Sequence, residues 1–288
     1  MRERGHRERA EAALEPPAST PPTTSILARA SEEVSRVTET PRADGTPRER
    51  FLARFAPGEF GLICELKRRS PSAGPLLRED DARPHARYLA LGEAYAKGGA
   101  AAFSVLTERD HFDGGLEDLA RVAHLGVPRL RKDFVLDAGM VLESALHGAD
   151  ALLLIAAILD DAELRDLRQL ARELGLAVLL EVHDEAELER ALPHAPELLG
   201  VNARDLRTLV TDLGTVERLL PRIPRGPSAP LRVAESGLRT AEDLLRVRAA
   251  GADAALVGES LVRSSNALST LLTWKAALDG ARPERRRP

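Results

Sequence analysis

Eight short apolar runs, each closed by a polar residue and followed by a longer helical pattern, predict an α/β fold: a (β/α)8 TIM barrel with an additional N-terminal helix. Two further observations support a parallel sheet and set the open doubly wound alternative aside. The run ends lie about 20 to 40 residues apart, which is room for one helix per crossover between parallel strands. The turn after the first run, "KRRSPSAG", also lacks the GxGxxG that an open dinucleotide-binding sheet would place there. With 288 residues and 43% hydrophobic content, the chain can bury the core of one such domain, which needs ~250 residues.

Taken in order, residues 1–23 join a charge run, "MRERGHRERAEAALE", to "PPASTPPTT", a composition with little to bury, and are expected to form a disordered tail. Residues 24–280 are expected to hold the barrel and its leading helix. That helix is capped at Thr24 or Ser25 and patterned through Ile26, Leu27, Ala30, Val34 and Val37. The eight predicted strands are Leu62 to Leu66, Ala101 to Leu106, Val127 to Arg131, Ala151 to Ile155, Ala177 to Leu180, Leu198 to Val201, Leu231 to Ala234, and Ala254 to Val257. Residues 281–288 form a charged C-terminal tail.

Bulk composition removes several function classes. A net charge of -4 gives no global case for nucleic-acid binding and leaves a small molecule as the expected partner. One cysteine excludes an internal disulfide framework, no Cys/His cluster has zinc spacing, and a reducing cytoplasmic setting is expected. The longest strongly apolar run, Ala151 to Leu159, is far short of the ~20 residues that span a bilayer, so no membrane association is expected.

Charge inside the first strand is the sharpest local signal. Side chains alternate faces along a strand, so Ile63, Glu65 and Lys67 share one side, while Leu62, Cys64 and Leu66 share the other and suit a core. Burying either charge unpaired costs several kcal/mol or a large pKa shift, so the charged side calls for a function. In a barrel, active sites gather at the C-terminal strand ends. There the chain places Glu65 and Lys67, then Lys132 with Asp133, Glu181, Asn202 with Arg204, and Glu235. Lys132 shares its face with Leu130, Glu181 with Leu179, and Glu235 with Val233, all suited to the barrel interior; Arg129, inside strand three, is an exception to the pattern.

The last two strands run into "AESGLRTAEDL" and "LVGESLVRSS". Such turns expose backbone N–H groups at the positive end of a helix, which suits a phosphate dianion, and barrels often bind phosphate after strands seven and eight.

The segments "CELKRRSPSAG", "FSVLTERDHFDGG", "PRLRKDF", "GADALLLI", "LLEVHDEAEL", "LGVNARDL", "VAESGL" and "ALVGESLV", in this order over about residues 60–265, resemble the indole-3-glycerol phosphate synthase family of tryptophan biosynthesis. The resemblance implies a ribulose-phosphate-binding barrel and a carboxy-lyase. Its expected reaction closes and decarboxylates 1-(2-carboxyphenylamino)-1-deoxyribulose 5-phosphate, giving indole-3-glycerol phosphate, carbon dioxide and water. It implies no metal or organic cofactor. It matches Lys132 to the acid of ring closure and Glu181 to the base of dehydration. Lys67 then donates a proton or holds the substrate carboxylate, and Glu65 and Glu235 are carboxylates that offset and orient the lysines. Asn202 and Arg204 contact substrate in this reading. Ser70, Ser236, Gly237, Gly258 and Glu259 surround the phosphate, the last through its backbone N–H. Phe112, Phe134, Leu153 and Leu206 match walls for the anthranilate ring, positions that ordinary core packing accounts for nearly as well. A monomer is expected, with other enzymes of the tryptophan pathway as candidate partners.

Three departures stand out. The usual Tyr-Gln pair after KDF is Gly139-Met140, the loop after strand one is long, and the N-terminal tail is extra. The alternatives are another phosphate-binding barrel such as phosphoribosylanthranilate isomerase, a non-catalytic ligand-binding barrel, and nucleic-acid binding through the Arg-rich termini. The isomerase family uses a cysteine near the end of strand one, but parity turns Cys64 toward the helices.

Overall fold

The computed structural model describes residues 45–71, 73–77 and 85–281. The predicted leading helix after Thr24 and both tails lie outside the described residues, apart from Ala281. Eight parallel strands close into a barrel. They are β1 Gly61–Leu66, β2 Ala102–Leu106, β3 Arg129–Lys132, β4 Ala151–Ile155, β5 Ala177–Val182, β6 Leu198–Asn202, β7 Leu231–Glu235 and β8 Ala254–Val257. Closure is direct: β1 pairs with β2 through Ile63 and Ala102 on one side and with β8 through Gly61 and Ala254 on the other.

Alternation divides the core into two layers, as the sequence pattern predicts. Ile63, Leu130, Leu153, Leu179, Leu198, Val233 and Leu256 fill the barrel interior. Leu62, Cys64, Leu66, Val105, Leu154, Leu180 and Val257 face the surrounding helices. Cys64 is fully buried in that outer layer, and burial pushes its thiol far above the ordinary value, so it is no nucleophile. The helices start promptly after the strands because short polar side chains cap them. Asp137, Asp160, Asp184, Asp212 and Thr240 accept the N–H of Met140, Glu163, Glu187, Gly214 and Asp243. The Asp137 cap holds the start of the helix Ala138–Leu146 where Gly139-Met140 replaces the usual pair.

A short helix that the sequence pattern did not reveal, α1 Pro47–Leu52, closes the bottom of the barrel. Thr46 and Glu49 form a capping box and Pro47 presets the first turn. Six residues would not be helical alone, so packing decides. Phe51 and Phe55, ring centroids 5.5 Å apart, join the interior cluster. A Cβ on Gly61 would stand 2.6 Å from the Phe55 ring, so the first strand opens on glycine to admit the plug.

Strand three begins at Arg129 and not at Val127, because Pro128 has no N–H to give the ladder; its carbonyl accepts from Phe103 instead. Arg129 and Arg131 point outward. Arg129 donates to the Leu119 carbonyl, and Arg131 is held by Asp133, the Met140 carbonyl and Ser144.

Candidate active site

At the C-terminal end of the barrel the apolar interior gives way to charge. Lys132, from β3, lies 3.1 Å from Oε2 of Glu181 on the neighbouring-but-one strand β5, and Lys67 lies 2.6 Å from Oε1 of Glu65 just below it on β1. Asn202, from β6, faces the Glu181 carboxylate, and its Oδ1 accepts the backbone N–H of Arg204. Glu235 completes the ring from β7. The six predicted residues of the acid-base set therefore meet at one end of the barrel, on the interior face.

Room for this charge is made by two glycines. A Cβ on Gly200 would stand 2.0 Å from Glu235 Oε1, and a Cβ on Gly258 would stand 2.3 Å from Glu65 Oε1. Both carboxyl groups occupy space that any other residue on β6 or after β8 would fill. Gly258 thus has a packing duty in addition to its expected place near phosphate.

The electrostatics are set by proximity. Burial alone would neutralise Lys132, but the carboxylates facing it, Glu181 foremost, reverse this and raise its pKa, so the ammonium form holds. Burial likewise disfavours an ionised Glu181, and Lys132, His183 and Asn202 overcome it and push its pKa far down. Glu235 goes the other way: burial and the ionised Glu181 beside it raise its carboxyl well above the ordinary value, which favours the neutral acid. This differs from the counter-ion expected of Glu235. Glu181 faces Lys132, His183 and Asn202 and keeps the charge, and two ionised carboxylates in one buried space cannot coexist cheaply.

The two glycine-containing turns stand side by side. Ser260 Oγ donates to the Leu238 carbonyl at 2.9 Å, tying the turn after β8 to the turn after β7. Ser236 and Gly237 are both left-handed, with φ of 65° and 76°, a conformation that glycine tolerates and serine rarely takes. A Cβ on Gly237 would meet Thr211 at 2.6 Å, so the loop after β6 packs onto the same turn.

Against known proteins, the profile described as Indole-3-glycerol phosphate synthase matches residues 25–271. The chain belongs to the indole-3-glycerol phosphate synthase family. It is 47% identical over 238 residues to the protein of that name from Parafrankia sp., covering 82% of each chain. It is 43% identical over 256 residues to the one from Desulfotalea psychrophila, covering 84% of this chain and 94% of that one. Among solved structures, 3-hexulose-6-phosphate synthase from Salmonella typhimurium is similar in fold, with a TM-score of 0.59 at 13% identity over 77% of this chain and 99% of that one.

Other residues expected of an indole-3-glycerol phosphate synthase fall in several places. Phe134 and Leu206 pack half-buried on the barrel-interior cluster, Leu153 lies fully inside it, and Phe112 sits half-buried in the loop after β2. Ser70, buried at the end of the first strand of a small hairpin, accepts the Ala73 N–H at 3.2 Å. Glu259 pairs with Arg263 at 2.9 Å, which leaves its backbone N–H as the group that can meet an anion. Asp133, grouped with Lys132 at the strand end, turns outward and binds Arg131 and Thr107 Oγ1. Two residues in or beside the site were missed. Ser104 lies in the interior beside Glu65, its hydroxyl without a hydrogen-bond partner among the described residues. His183 follows Glu181 by two residues and touches it, a position the alternation of β5 would have pointed to.

Proposed function

We propose that this chain carries out the reaction of its family. It closes and decarboxylates 1-(2-carboxyphenylamino)-1-deoxyribulose 5-phosphate to indole-3-glycerol phosphate, carbon dioxide and water. The observation that carries the assignment of roles is the Lys132–Glu181 pair, a charged acid and a charged base 3.1 Å apart on the interior face of the barrel mouth. A substrate with a phosphate and a carboxylate brings about three negative charges, and Lys67, Lys132 and Arg204 offer the opposite sign. The adjacent turns at Ser236-Gly237 and Gly258-Glu259 are read as the phosphate end.

The steps follow from the charge states. The ring carbon bearing the carboxylate attacks the ketone carbon while Lys132 gives its proton to the ketone oxygen, leaving a hydroxyl and a cationic ring nitrogen. The bond to the carboxylate then breaks, carbon dioxide leaves, and its electron pair neutralises that cation. Glu181 removes a ring proton as the hydroxyl departs as water, protonated by an ammonium; Lys67, oriented by Glu65, serves as that donor or holds the substrate carboxylate. Asn202 and the neutral Glu235 hold Glu181 in place.

A phosphorylated small molecule is the partner, and the chain is read as a cytoplasmic monomer; its one cysteine is free and buried. The test is direct. Purified protein is incubated with the carboxyphenylamino-deoxyribulose phosphate and indole fluorescence is followed, beside Lys132→Ala and Glu181→Gln. Wild type forms the indole product and each variant loses about 10²- to 10⁴-fold in turnover. A silent wild type ends the activity reading, and variants that match wild type end the assignment of roles.

A further inference from the structure

His183 stands in the site without a part in the steps above. It follows β5 by one residue and shares the face of Glu181. Its ring bridges two carboxylates: Nε2 is 3.2 Å from Glu181 Oε1, and Nδ1 is 3.0 Å from Oε2 of Glu187. The backbone N–H of His183 donates to the same Glu187 oxygen at 2.8 Å. Glu187 is itself fixed in the first turn of the helix Glu185–Ala191, where its N–H is taken by the cap Asp184. Nε2 is near enough to Glu181 for an ion pair but does not line up as a hydrogen bond, so charge outweighs direction in this contact.

We infer that His183 is a positioning residue, an imidazolium braced by Glu187 that keeps Glu181 ionised while the anionic substrate occupies the barrel mouth. The inference rests on reading Glu181 as the base. The groups facing Glu181 are Lys132 from β3, Asn202 from β6, Glu235 from β7 and His183 itself, with Glu65 of β1 acting on Lys132. Glu187 and the cap Asp184 lie on the far side of the imidazole. Of these, Lys132 and His183 are the cations. When Lys132 turns to a substrate oxygen, Glu181 loses its nearest positive charge just as about three negative charges arrive, and both changes favour protonating it. His183 is the cation that remains. Burial would neutralise the ring, but Glu181 and Glu187 raise its pKa to about 10, so the charge is present throughout the neutral range.

The test is the pH dependence of kcat, which reports groups in the substrate complex. His183→Gln keeps an N–H donor near the Nε2 position and removes the charge; Glu187→Gln leaves the imidazole and removes its brace. The acid limb of kcat moves up by about 1 pH unit in His183→Gln and by less in Glu187→Gln. On the alkaline plateau, where Glu181 ionises unaided, kcat recovers to within about threefold of wild type. Limbs that stay where wild type has them, or a kcat depressed equally at every pH, overturn the inference. If His183→Gln does not fold, Glu187→Gln decides alone. Glu181→Gln separates the two readings: if it is active, the base assignment falls and takes this inference with it; if it is inactive while the limbs stay put, only the role of His183 falls.

Discussion

The two ends of this barrel use buried charge in opposite ways. At the bottom, Asp150 is shared by Arg50 and Arg129 and accepts the backbone N–H of Arg129, Glu197 binds Arg48, and Asp253 takes two nitrogens of Arg232. Each carboxylate there ties a strand to a neighbour or to the plug α1. At the mouth, Glu65, Glu181, Glu235, Lys67, Lys132 and His183 crowd one interior layer, and Glu235 Oε1, Ser104 Oγ and His183 Nε2 have no hydrogen-bond partner among the described residues. Apart from Nη1 of Arg232, which has no hydrogen-bond partner among the described residues, the bottom uses charge for connection, and the mouth keeps polar capacity in reserve. Such a difference locates chemistry on the scaffold more sharply than any one residue does.

If the comparison holds, mutations at the two ends separate activity from stability. The largest effects are the losses in Lys132→Ala and Glu181→Gln, with the protein still folded by circular dichroism. Asp150→Ala does the reverse. It removes a carboxylate that two guanidiniums share, so urea unfolding should show a loss of about 3 kcal/mol while kcat per folded molecule stays near wild type. An inactive but stable Asp150→Ala would erase the distinction between the ends.

A smaller effect probes how the mouth makes room. Gly200→Ala puts a methyl 2.0 Å from Glu235 Oε1 and 3.1 Å from Leu179 Cδ1. The carboxyl must move, at about 1 to 3 kcal/mol of stability by thermal melting, and kcat falls with it because Glu181 loses a partner. An unchanged melting temperature would mean that Glu235 has space that the geometry denies it.

Much of this was legible in the sequence because it depends on local period. Alternation assigned Leu62, Cys64 and Leu66 to one layer and Ile63, Glu65 and Lys67 to the other, and the spacing of apolar runs gave all eight strands. What was not legible depends on contacts made across the fold. Arg129 breaks the pattern of strand three only until Asp150 and the Leu119 carbonyl are brought to it. Arg68, one of two arginines in an open-looking turn, is buried because Asp118, 50 residues on, takes it in two bonds and the Tyr88 ring covers it at 4.2 Å. The plug α1 is too short to declare itself without the barrel bottom. His183 is the exception: the parity that marked Lys67 after Glu65 marks it after Glu181 as well.

Which of the paired carboxyls holds the proton was also beyond the sequence, and stability against pH resolves it. Glu235 has its pKa raised well above the ordinary 4.5. From 4.5 upward the native chain keeps a proton that the unfolded chain has lost, so this group makes stability fall as pH rises. Glu181 has its pKa pushed down from the same 4.5, so its contribution is fully present above 4.5 and is lost as pH falls toward the native value. Substituting glutamine deletes one titration in each case. Relative to wild type, Glu235→Gln should therefore gain stability between pH 5 and pH 8, and Glu181→Gln should lose ground over the upper part of the acid range, from about pH 3 to pH 5, by of the order of 1 kcal/mol each. Urea unfolding at pH 3, 5 and 8 reads both slopes. If Glu235→Gln instead loses stability relative to wild type as the pH is raised, the proton sits on Glu181, and the mouth then holds its resting base as an acid.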